Sequence, residues 1–306
     1  MEEPRGEFTS RRSKLKSQSS KLLSLRLQEL WEGAEKNGMS YAQCAAQQRR
    51  ELDECAAIWT RALILPDQKD DIVGSTLTEI GRWRGITDRA IIRRRCESAL
   101  ASLKTQWERT VQSVEAEQVE KYYNAADDCI EELMWWHTLI EDNSPLAYVA
   151  ALEFASQAAS ARYLDFGSGV GSGALLFRSH GFEATLADIS SLMLAFCKYR
   201  FAERGANAAF IDLKESALPE NAFDFITAMD VFEHLVDPVA TVDLLDRSLM
   251  PGGYIYGRFA ADDDQTRPQH LVQDFRPVFN RFAELGFKEV FRDDWLWGHR
   301  VFQKSV

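Results

Sequence analysis

The feature that most constrains the fold is a short apolar segment that runs directly into a row of closely spaced glycines. The segment is 162–166, and Gly167, Gly169 and Gly171 follow it at every second position. Glycine adopts positive φ without strain and lets the backbone pass close to a ligand. The pattern therefore predicts a β-strand that ends in a ligand-binding loop, with a helix following from Gly171.

The chain after Pro145 alternates between strand-like and helix-like segments, which is typical of a parallel sheet with helices on both faces. The strands are predicted at 162–166, 184–188, 208–211, 223–229 and 254–259, with a closing hairpin at 287–291 and 299–303. The helices between them are predicted at 171–180, 190–204, 239–249 and 275–285. The predicted fold class is α/β, with a Rossmann-like sheet.

The chain before Pro145 carries almost no strand signal. Its apolar residues recur at helical spacing, as in Cys55, Ile58, Trp59 and Leu63. Ser40 is the predicted N-cap of one helix, which Pro66 ends, and further helices are predicted over 87–111 and 115–140. This half therefore predicts an all-helical domain.

These two sequence patterns, together with the polar N-terminus, divide the chain into three predicted parts. Residues 1–20 form a disordered tail, because they have too little apolar surface to bury. Residues 21–145 form the helical domain, which either covers the ligand as a lid or joins two copies into a homodimer. Residues 146–306 form the α/β domain that holds the ligand.

Composition and charge indicate which partners and which cellular location the protein is expected to have. The formal net charge of −11 disfavours nucleic acid as a partner, because general polyanion binders carry a basic field. No apolar run is long enough for a membrane span, and the N-terminus lacks the apolar core of a secretory signal. The five cysteines are scattered without a C-x-x-C pair, which disfavours disulfides and structural zinc. We therefore predict a cytoplasmic protein without a membrane partner.

The residues around the glycines distinguish between a dinucleotide and a cofactor that carries an ammonium group. A dinucleotide-binding fingerprint needs a third glycine where this chain has Ser172. Asp165, directly before the loop, is badly placed for a pyrophosphate but suits a cofactor with an ammonium group. Asp188, at the end of the second strand, can accept hydrogen bonds from both ribose hydroxyls. After the third strand, Asp212 could accept the adenine amino group and Leu213 could cover the ring.

Residues from about 161 to 306 resemble the class I S-adenosylmethionine-dependent methyltransferase family, especially its ubiquinone-biosynthesis branch. The matching segments read LDFGSGVG at 164–171, ADIS at 187–190, LP at 218–219, FD at 223–224, DVFEH at 230–234 and PGG at 251–253. The resemblance implies a seven-stranded sheet with an antiparallel last strand, and S-adenosylmethionine as the cofactor. One departure is Lys214, since that branch usually has an acidic residue four positions before the Leu-Pro pair. The assignment of Asp212 therefore assumes a slightly longer loop.

The resemblance also implies a role for each part of the predicted cofactor site. The glycine loop cradles the methionine part of the cofactor, Asp188 binds the ribose, and Asp212 with Leu213 contacts the adenine. The predicted cofactor-binding residues are Asp165, Gly167, Ser168, Gly169, Gly171, Asp188, Ile189, Asp212, Leu213 and Met229.

Candidate catalytic residues lie in three places: directly after the fourth predicted strand, after the fifth predicted strand, and in the segment before the α/β domain. Methyl transfer is an in-line displacement, so the protein mainly aligns the reactants, and a general base helps where the acceptor loses a proton. If the segment after that strand begins a helix, Asp230, Glu233 and His234 share one face. By the resemblance, His270 borders the acceptor pocket, while His137 belongs to an aromatic segment that could form a lid. The predicted catalytic residues are His234, His270, Asp230 and His137.

A divalent metal held by Asp230, Glu233, His234 and His270 is an alternative role for part of this group. By the resemblance, small-RNA 2′-O-methyltransferases of the family have a Glu-His cluster of this kind. Magnesium prefers oxygen ligands, however, and two imidazoles are not its usual set. We therefore predict no metal site.

The predicted function is the transfer of a methyl group to an O or N atom of a small molecule. One rival is an enzyme that acts on RNA or protein, which would need the basic cluster at 82–95 to reach the pocket rim. Another rival is a non-catalytic binding subunit, which the complete glycine set and Asp188 oppose. An NAD-dependent oxidoreductase is disfavoured by Ser172 and Asp165.

Overall fold

The computed structural model describes residues 22–69, 71–140, 144–259 and 266–306. The predicted disordered tail over 1–20 lies outside the described residues, so it stays a prediction. In the described ranges, no helix combines the length and the apolar character that a bilayer crossing requires.

Helices make up the regular structure of the chain before the sheet. They are α1 Leu23–Glu32, α2 Tyr41–Leu63, α3 Ile72–Arg84, α4 Arg89–Thr110, α5 Ala116–Ala125, α6 Cys129–Trp136 and α7 Ala147–Gln157. The predicted cap of α2 is confirmed, because Ser40 and Gln43 exchange side-chain to backbone hydrogen bonds in a capping box. Helix α4 begins at Arg89, because the N-cap is Asp88, one residue after the expected cap Thr87, and accepts from the backbone N–H of Ala90.

The single helix predicted over 115–140 is wrong, since α5 and α6 are separate helices. Asp127 and Asp128 lie between them, and aspartate is a weak helix former. The break brings Asp127 within 2.5 Å of Arg84 on α3 and Asp128 within 3.3 Å of Arg95 on α4. The spacing of apolar residues carries no information about these ion pairs, which connect the junction between α5 and α6 to α3 and α4.

The described residues of the second half form a seven-stranded sheet in the order β3-β2-β1-β4-β5-β7-β6. Its strands are β1 Arg162–Phe166, β2 Glu183–Asp188, β3 Ala209–Asp212, β4 Phe223–Ala228, β5 Leu249–Arg258, β6 Lys288–Arg292 and β7 His299–Gln303. The first five strands pair in parallel, and β7 is antiparallel to both β5 and β6. The predicted fold class is therefore confirmed, including the antiparallel strand.

Helices cover both faces of this sheet, as the alternation of segments predicts. They are α8 Ser172–Ser179, α9 Ser191–Glu203, α10 Pro238–Ser248 and α11 Arg276–Glu284. Neighbouring residues of β4 point to opposite faces, so Phe225 joins the apolar cluster with α2, α7 and α8, whereas Ile226 joins the cluster with α10 and α11. The central strands β1 and β4 are buried on both faces, which explains why apolar residues follow one another there instead of alternating with polar ones.

A third apolar cluster joins the helices before the sheet to the edge of the cofactor loop. Ile80 of α3 and Met134 of α6 pack in one buried cluster with Val170 of the glycine loop and Phe196 of α9. The helical half thus contacts the predicted ligand loop directly. A domain boundary at residue 145 stays a prediction.

Candidate functional site

The glycine loop follows β1 in a conformation that excludes side chains. Gly167, Gly169 and Gly171 have φ of 66°, 49° and 71°, a region that residues with a Cβ rarely adopt. A Cβ on Gly167 would lie 2.6 Å from Cγ2 of Val231, and one on Gly171 would lie 2.8 Å from Cδ2 of Leu186. The loop is therefore a close-fitting backbone surface, as the sequence predicts.

Asp188, at the end of β2, supports the loop and also lines the neighbouring cavity. Its Oδ2 accepts from the N–H of Gly169 at 2.9 Å, and its Oδ1 accepts from the N–H of Ser190 at 2.8 Å. Burial raises the pKa of Asp188 to about 6. The backbone N–H of Ile189 also interacts with the carboxylate, and the acceptor capacity that remains on the cavity side is available to hydroxyl groups of a ligand.

Asp165 is buried at the end of β1, behind the loop. Its carboxylate accepts from the N–H of Ala174 at 3.0 Å and from the hydroxyl of Thr227 at 3.1 Å. Burial raises the pKa of Asp165 to about 7, because no arginine or lysine compensates its charge at these contacts. A ligand ammonium group near the loop would favour the ionised form.

A cavity of about 800 Å³ extends from this loop to the helices before the sheet. This volume lies in the upper part of the range for small-molecule sites. The predicted site residues that line it are Gly167, Ser168, Gly169, Asp188, Ile189, Leu213, Met229, Asp230, His234, His270 and His137. The predicted residues that do not line it are Asp165, Gly171 and Asp212.

The end of β3 contributes one residue to the cavity wall. Leu213 lines the cavity, whereas the carboxylate of Asp212 accepts from the hydroxyl of Ser191 at 2.6 Å and pairs with Lys214 at 3.1 Å. Lys214 also donates to the carbonyl of Ile189 at 2.6 Å. Contact of Asp212 with adenine therefore stays a prediction, and Leu213 is the better placed of the two.

The segment after β4 does not begin the expected α-helix. A short 3₁₀ turn covers Phe232–His234, and Asp230 before it has a φ of 53°. Asp230 instead pairs with Arg258 of β5 at 2.8 Å, which holds its carboxylate away from its neighbours in the chain. The condition for a shared helical face of Asp230, Glu233 and His234 is therefore not met.

Glu233, His234 and His270 form a compact group that we call the Glu-His cluster. Their potential ligand atoms all lie within 4.8 Å of one another. Nδ1 of His234 lies 3.1 Å from the carbonyl of Gln269 and 3.2 Å from the hydroxyl of Tyr123. Because a carbonyl only accepts, we assign the proton of His234 to Nδ1, which leaves the lone pair on Nε2.

Burial determines the charge state of two of the three candidate histidines, His234 and His137. It lowers the pKa of His234 to about 3 and that of His137 to about 3, so both rings are neutral near pH 7. His137 is 6% exposed and lies between the rings of Trp59, Trp136 and Tyr148, with centroids 5.0–6.1 Å away. In the described part of the chain, its buried Nδ1 has no hydrogen-bond partner.

Sequence reasoning missed several polar residues of the cavity wall. They are Tyr123, Glu132, Tyr148, Arg258, Arg267 and Gln269. Glu132 of α6 pairs with Arg267 at 3.1 Å, which joins segments that are far apart in the chain. No pattern of neighbouring residues predicts a pair between such distant segments. For this wall, the sequence indicated only the aromatic segment that ends at His137.

Arginines of the cluster at 82–95 bind acidic side chains and do not line the cavity. Arg82 pairs with Asp67, Arg84 with Glu131, and Arg95 with Glu131, while none of the cluster's arginines lines the cavity in the described residues. These pairs neutralise much of the basic character that the sequence suggests.

The residues around the loop fit S-adenosylmethionine. The loop presents backbone where any Cβ on Gly167 or Gly171 would collide, and the buried carboxylate of Asp188 accepts from the N–H of Gly169 within it. Asp188 has free acceptor capacity toward the cavity, and Leu213 offers an apolar surface to a ring. Two ribose hydroxyls and an adenine match Asp188 and Leu213, whereas Asp165, which lies behind the loop, would favour a ligand ammonium group only through its charge.

Comparison with known proteins gives the same family. A family model described as a methyltransferase domain matches residues 135–293, which is half of the chain. The demethylmenaquinone methyltransferase of Thermus thermophilus is 34% identical over 107 residues, or 34% of this chain and 49% of that protein. The ubiquinone biosynthesis O-methyltransferase of Vibrio cholerae is 24% identical over 153 residues, or 47% of this chain and 60% of that protein.

The similarity to these relatives and to solved structures covers part of each chain. The matched region spans about half the length of the two relatives, at 49% and 60%. Among solved structures, the N-methyltransferase NodS from Bradyrhizobium japonicum superposes with a TM-score of 0.43 and 18% identity. That superposition covers 52% of this chain and 95% of NodS.

Proposed function

Because the chain belongs to the methyltransferase-domain family, and S-adenosylmethionine is its methyl donor, we propose that it methylates an O or N atom of a small-molecule acceptor. When bound, S-adenosylmethionine supplies an electrophilic methyl group on a sulfonium. The observation that carries this proposal is the cavity of about 800 Å³, which continues beyond the glycine loop under α5 and α6.

The wall formed by α5 and α6 favours a small acceptor over a macromolecule. Tyr122 and Tyr123 of α5, and Cys129, Leu133 and Trp136 of α6, line the cavity opposite the loop. A helical wall at this position excludes water and orients the acceptor, which is the main contribution that a protein makes to an in-line displacement. RNA would need a basic approach to the cavity, which the paired arginines of 82–95 do not provide.

We assign the acceptor region to the part of the cavity near the Glu-His cluster. Nε2 of His234 has a free lone pair but is weakly basic, so it is proposed to take the acceptor's proton as the new bond to the methyl group makes that proton strongly acidic. The hydroxyl of Tyr123 and the ring of His270 are proposed to orient the acceptor. Asp230 is proposed to act through Arg258, its partner at 2.8 Å. His137 is proposed as part of the wall, since its neutral ring is buried among aromatic side chains.

The names of the two relatives point to quinone precursors as acceptors of those proteins. For this chain we propose the wider class of small aromatic hydroxyl or amine compounds, since the aromatic residues Trp136, Tyr123 and Tyr148 line the cavity. We also propose a cytoplasmic location, and a helical segment 21–145 that covers the site.

The test is a transfer assay with S-adenosylmethionine that carries a radiolabelled methyl group. The purified chain is offered pools of small phenols, catechols and amines, and in parallel total RNA and a protein extract. We expect label in small-molecule pools, and much less label from the matched variant Asp188→Ala at a cofactor concentration near the Kd of the parent. Label that appears in RNA or protein alone would overturn the small-molecule proposal, and no label in any pool would favour a binding subunit.

A further inference from the structure

A buried arginine supports the cofactor loop from behind. Arg200 of α9 is 1% exposed, and its Nη1 donates to the carbonyl of Val170 at 2.6 Å and to the hydroxyl of Ser172 at 2.9 Å. Val170 lies between Gly169 and Gly171, and Ser172 is the first residue of α8. The guanidinium therefore holds both the middle and the end of the loop.

The counter-ion of Arg200 comes from the helical half of the chain. Glu79 of α3 is 1% exposed and accepts from Nε and Nη2 of Arg200 at 3.2 and 3.4 Å. It also pairs with Arg204, which in turn donates to the carbonyl of Leu63 at 2.5 Å. Glu79 thus carries the compensating charge for two arginines at the boundary between α3 and α9.

This charge has a strong effect on where the guanidinium can lie. Removal of one member of a buried ion pair leaves an uncompensated charge, which is far more destabilising than the loss of an exposed pair. Without Glu79, Arg200 would face Arg204 in a site with little water. The lower-energy response is for Arg200 to move toward solvent, and this movement would release the carbonyl of Val170.

We propose that Glu79 is a positioning residue for cofactor binding. It acts through Arg200, which fixes the glycine loop in the conformation that presents Gly167 and Gly169 to the cavity. The helices before the sheet therefore set the affinity for the cofactor, in addition to forming a wall of the acceptor region. This inference rests on the family's cofactor and does not depend on the identity of the acceptor.

The chain offers a matched control for this proposal. Arg82 of α3 pairs with Glu203 of α9 at 3.1 Å, so this exposed pair joins the same two helices. Among the described residues, neither side chain of this pair has a hydrogen bond or ion pair with Arg200 or with the loop. A variant at Glu203 therefore weakens the contact between the helices without removing the buried charge.

The experiment compares Glu79→Gln, Glu203→Gln and the parent chain by calorimetric titration with S-adenosylhomocysteine, alongside a thermal melt of each protein. We expect Glu79→Gln to raise the Kd at least about tenfold, and Glu203→Gln to change it less than about twofold. A parent-like Kd in Glu79→Gln, or equal effects of both variants, would overturn the proposal.

A double-mutant cycle separates positioning from a general loss of stability. Ser172→Ala removes one acceptor of Arg200 and leaves Glu79 in place, so it tests the link even if Glu79→Gln does not fold. We expect Ser172→Ala to raise the Kd about threefold in the parent and to have little further effect with Glu79→Gln, because residues of one network couple. A parent-like Kd for Ser172→Ala, or additive effects in the double variant, would contradict an action through Arg200.

Discussion

Asp188 is the residue whose replacement tests the cofactor site most directly. Replacement by Ala removes a carboxylate that lines the cavity and that also accepts from Gly169 and Ser190. If Asp188 binds two ribose hydroxyls, two charge-assisted hydrogen bonds of about 1.5–3 kcal/mol each are lost. Water can enter the vacated space and recover part of this energy, so the sum of about 3–6 kcal/mol is an upper bound.

We expect Asp188→Ala to raise the Kd for S-adenosylhomocysteine at least about tenfold from a micromolar or lower value, since 1.4 kcal/mol changes Kd by a factor of ten. The assay is isothermal titration calorimetry at pH 8, where Asp188 is ionised because its pKa is about 6. Glu183→Ala is the matched control, since Glu183 is exposed at the opposite end of the same strand.

The variant Asp188→Asn separates charge from shape. It keeps the size of the side chain but places an amide NH₂ where one of two backbone N–H groups needs an acceptor. We expect a Kd between those of the parent and Asp188→Ala. A parent-like Kd in Asp188→Ala, with the control also unchanged, would refute the assignment of this carboxylate to the ribose.

Four further predictions concern pH, metal and the acceptor region. Burial raises the pKa of Asp165 to about 7 and of Asp188 to about 6, so their protonation stabilises the free fold as pH falls but weakens cofactor binding. The rise in Tm caused by S-adenosylhomocysteine should therefore shrink between pH 8 and pH 5, and a constant rise would refute this. Turnover should survive dialysis against a chelator, whereas loss that one divalent ion restores would make the Glu-His cluster a metal site. Trp136→Ala and His137→Ala should lower kcat or raise the acceptor KM with cofactor affinity nearly unchanged, and parent-like kinetics in both would contradict a role in the wall. His234→Gln should lower kcat at least about tenfold if the acceptor loses a proton, and an unchanged kcat would exclude His234 as the base.

The sequence by itself determined the sheet and the loop at its centre. The glycines at 167, 169 and 171 require positive φ, and the strands before and after them are buried on both faces, so their apolar runs are visible locally. The acidic residue at the end of β2 follows from the same logic, because parallel strands place their carboxyl ends at one edge of the sheet. These features depend on residues that are close in the chain.

The tertiary structure alone decided which charged side chains pair at the cavity and behind the glycine loop. Asp230 pairs with Arg258, Glu132 with Arg267, and Arg200 with Glu79, and the partners in each pair come from different elements. Such contacts depend on how helices pack against the sheet, and this packing has no sequence period. The break between α5 and α6 has the same origin, because Asp127 and Asp128 form ion pairs with α3 and α4 that helical periodicity does not register. Local conformation is thus encoded within a few residues, whereas the partner of a buried charge is selected by the whole fold.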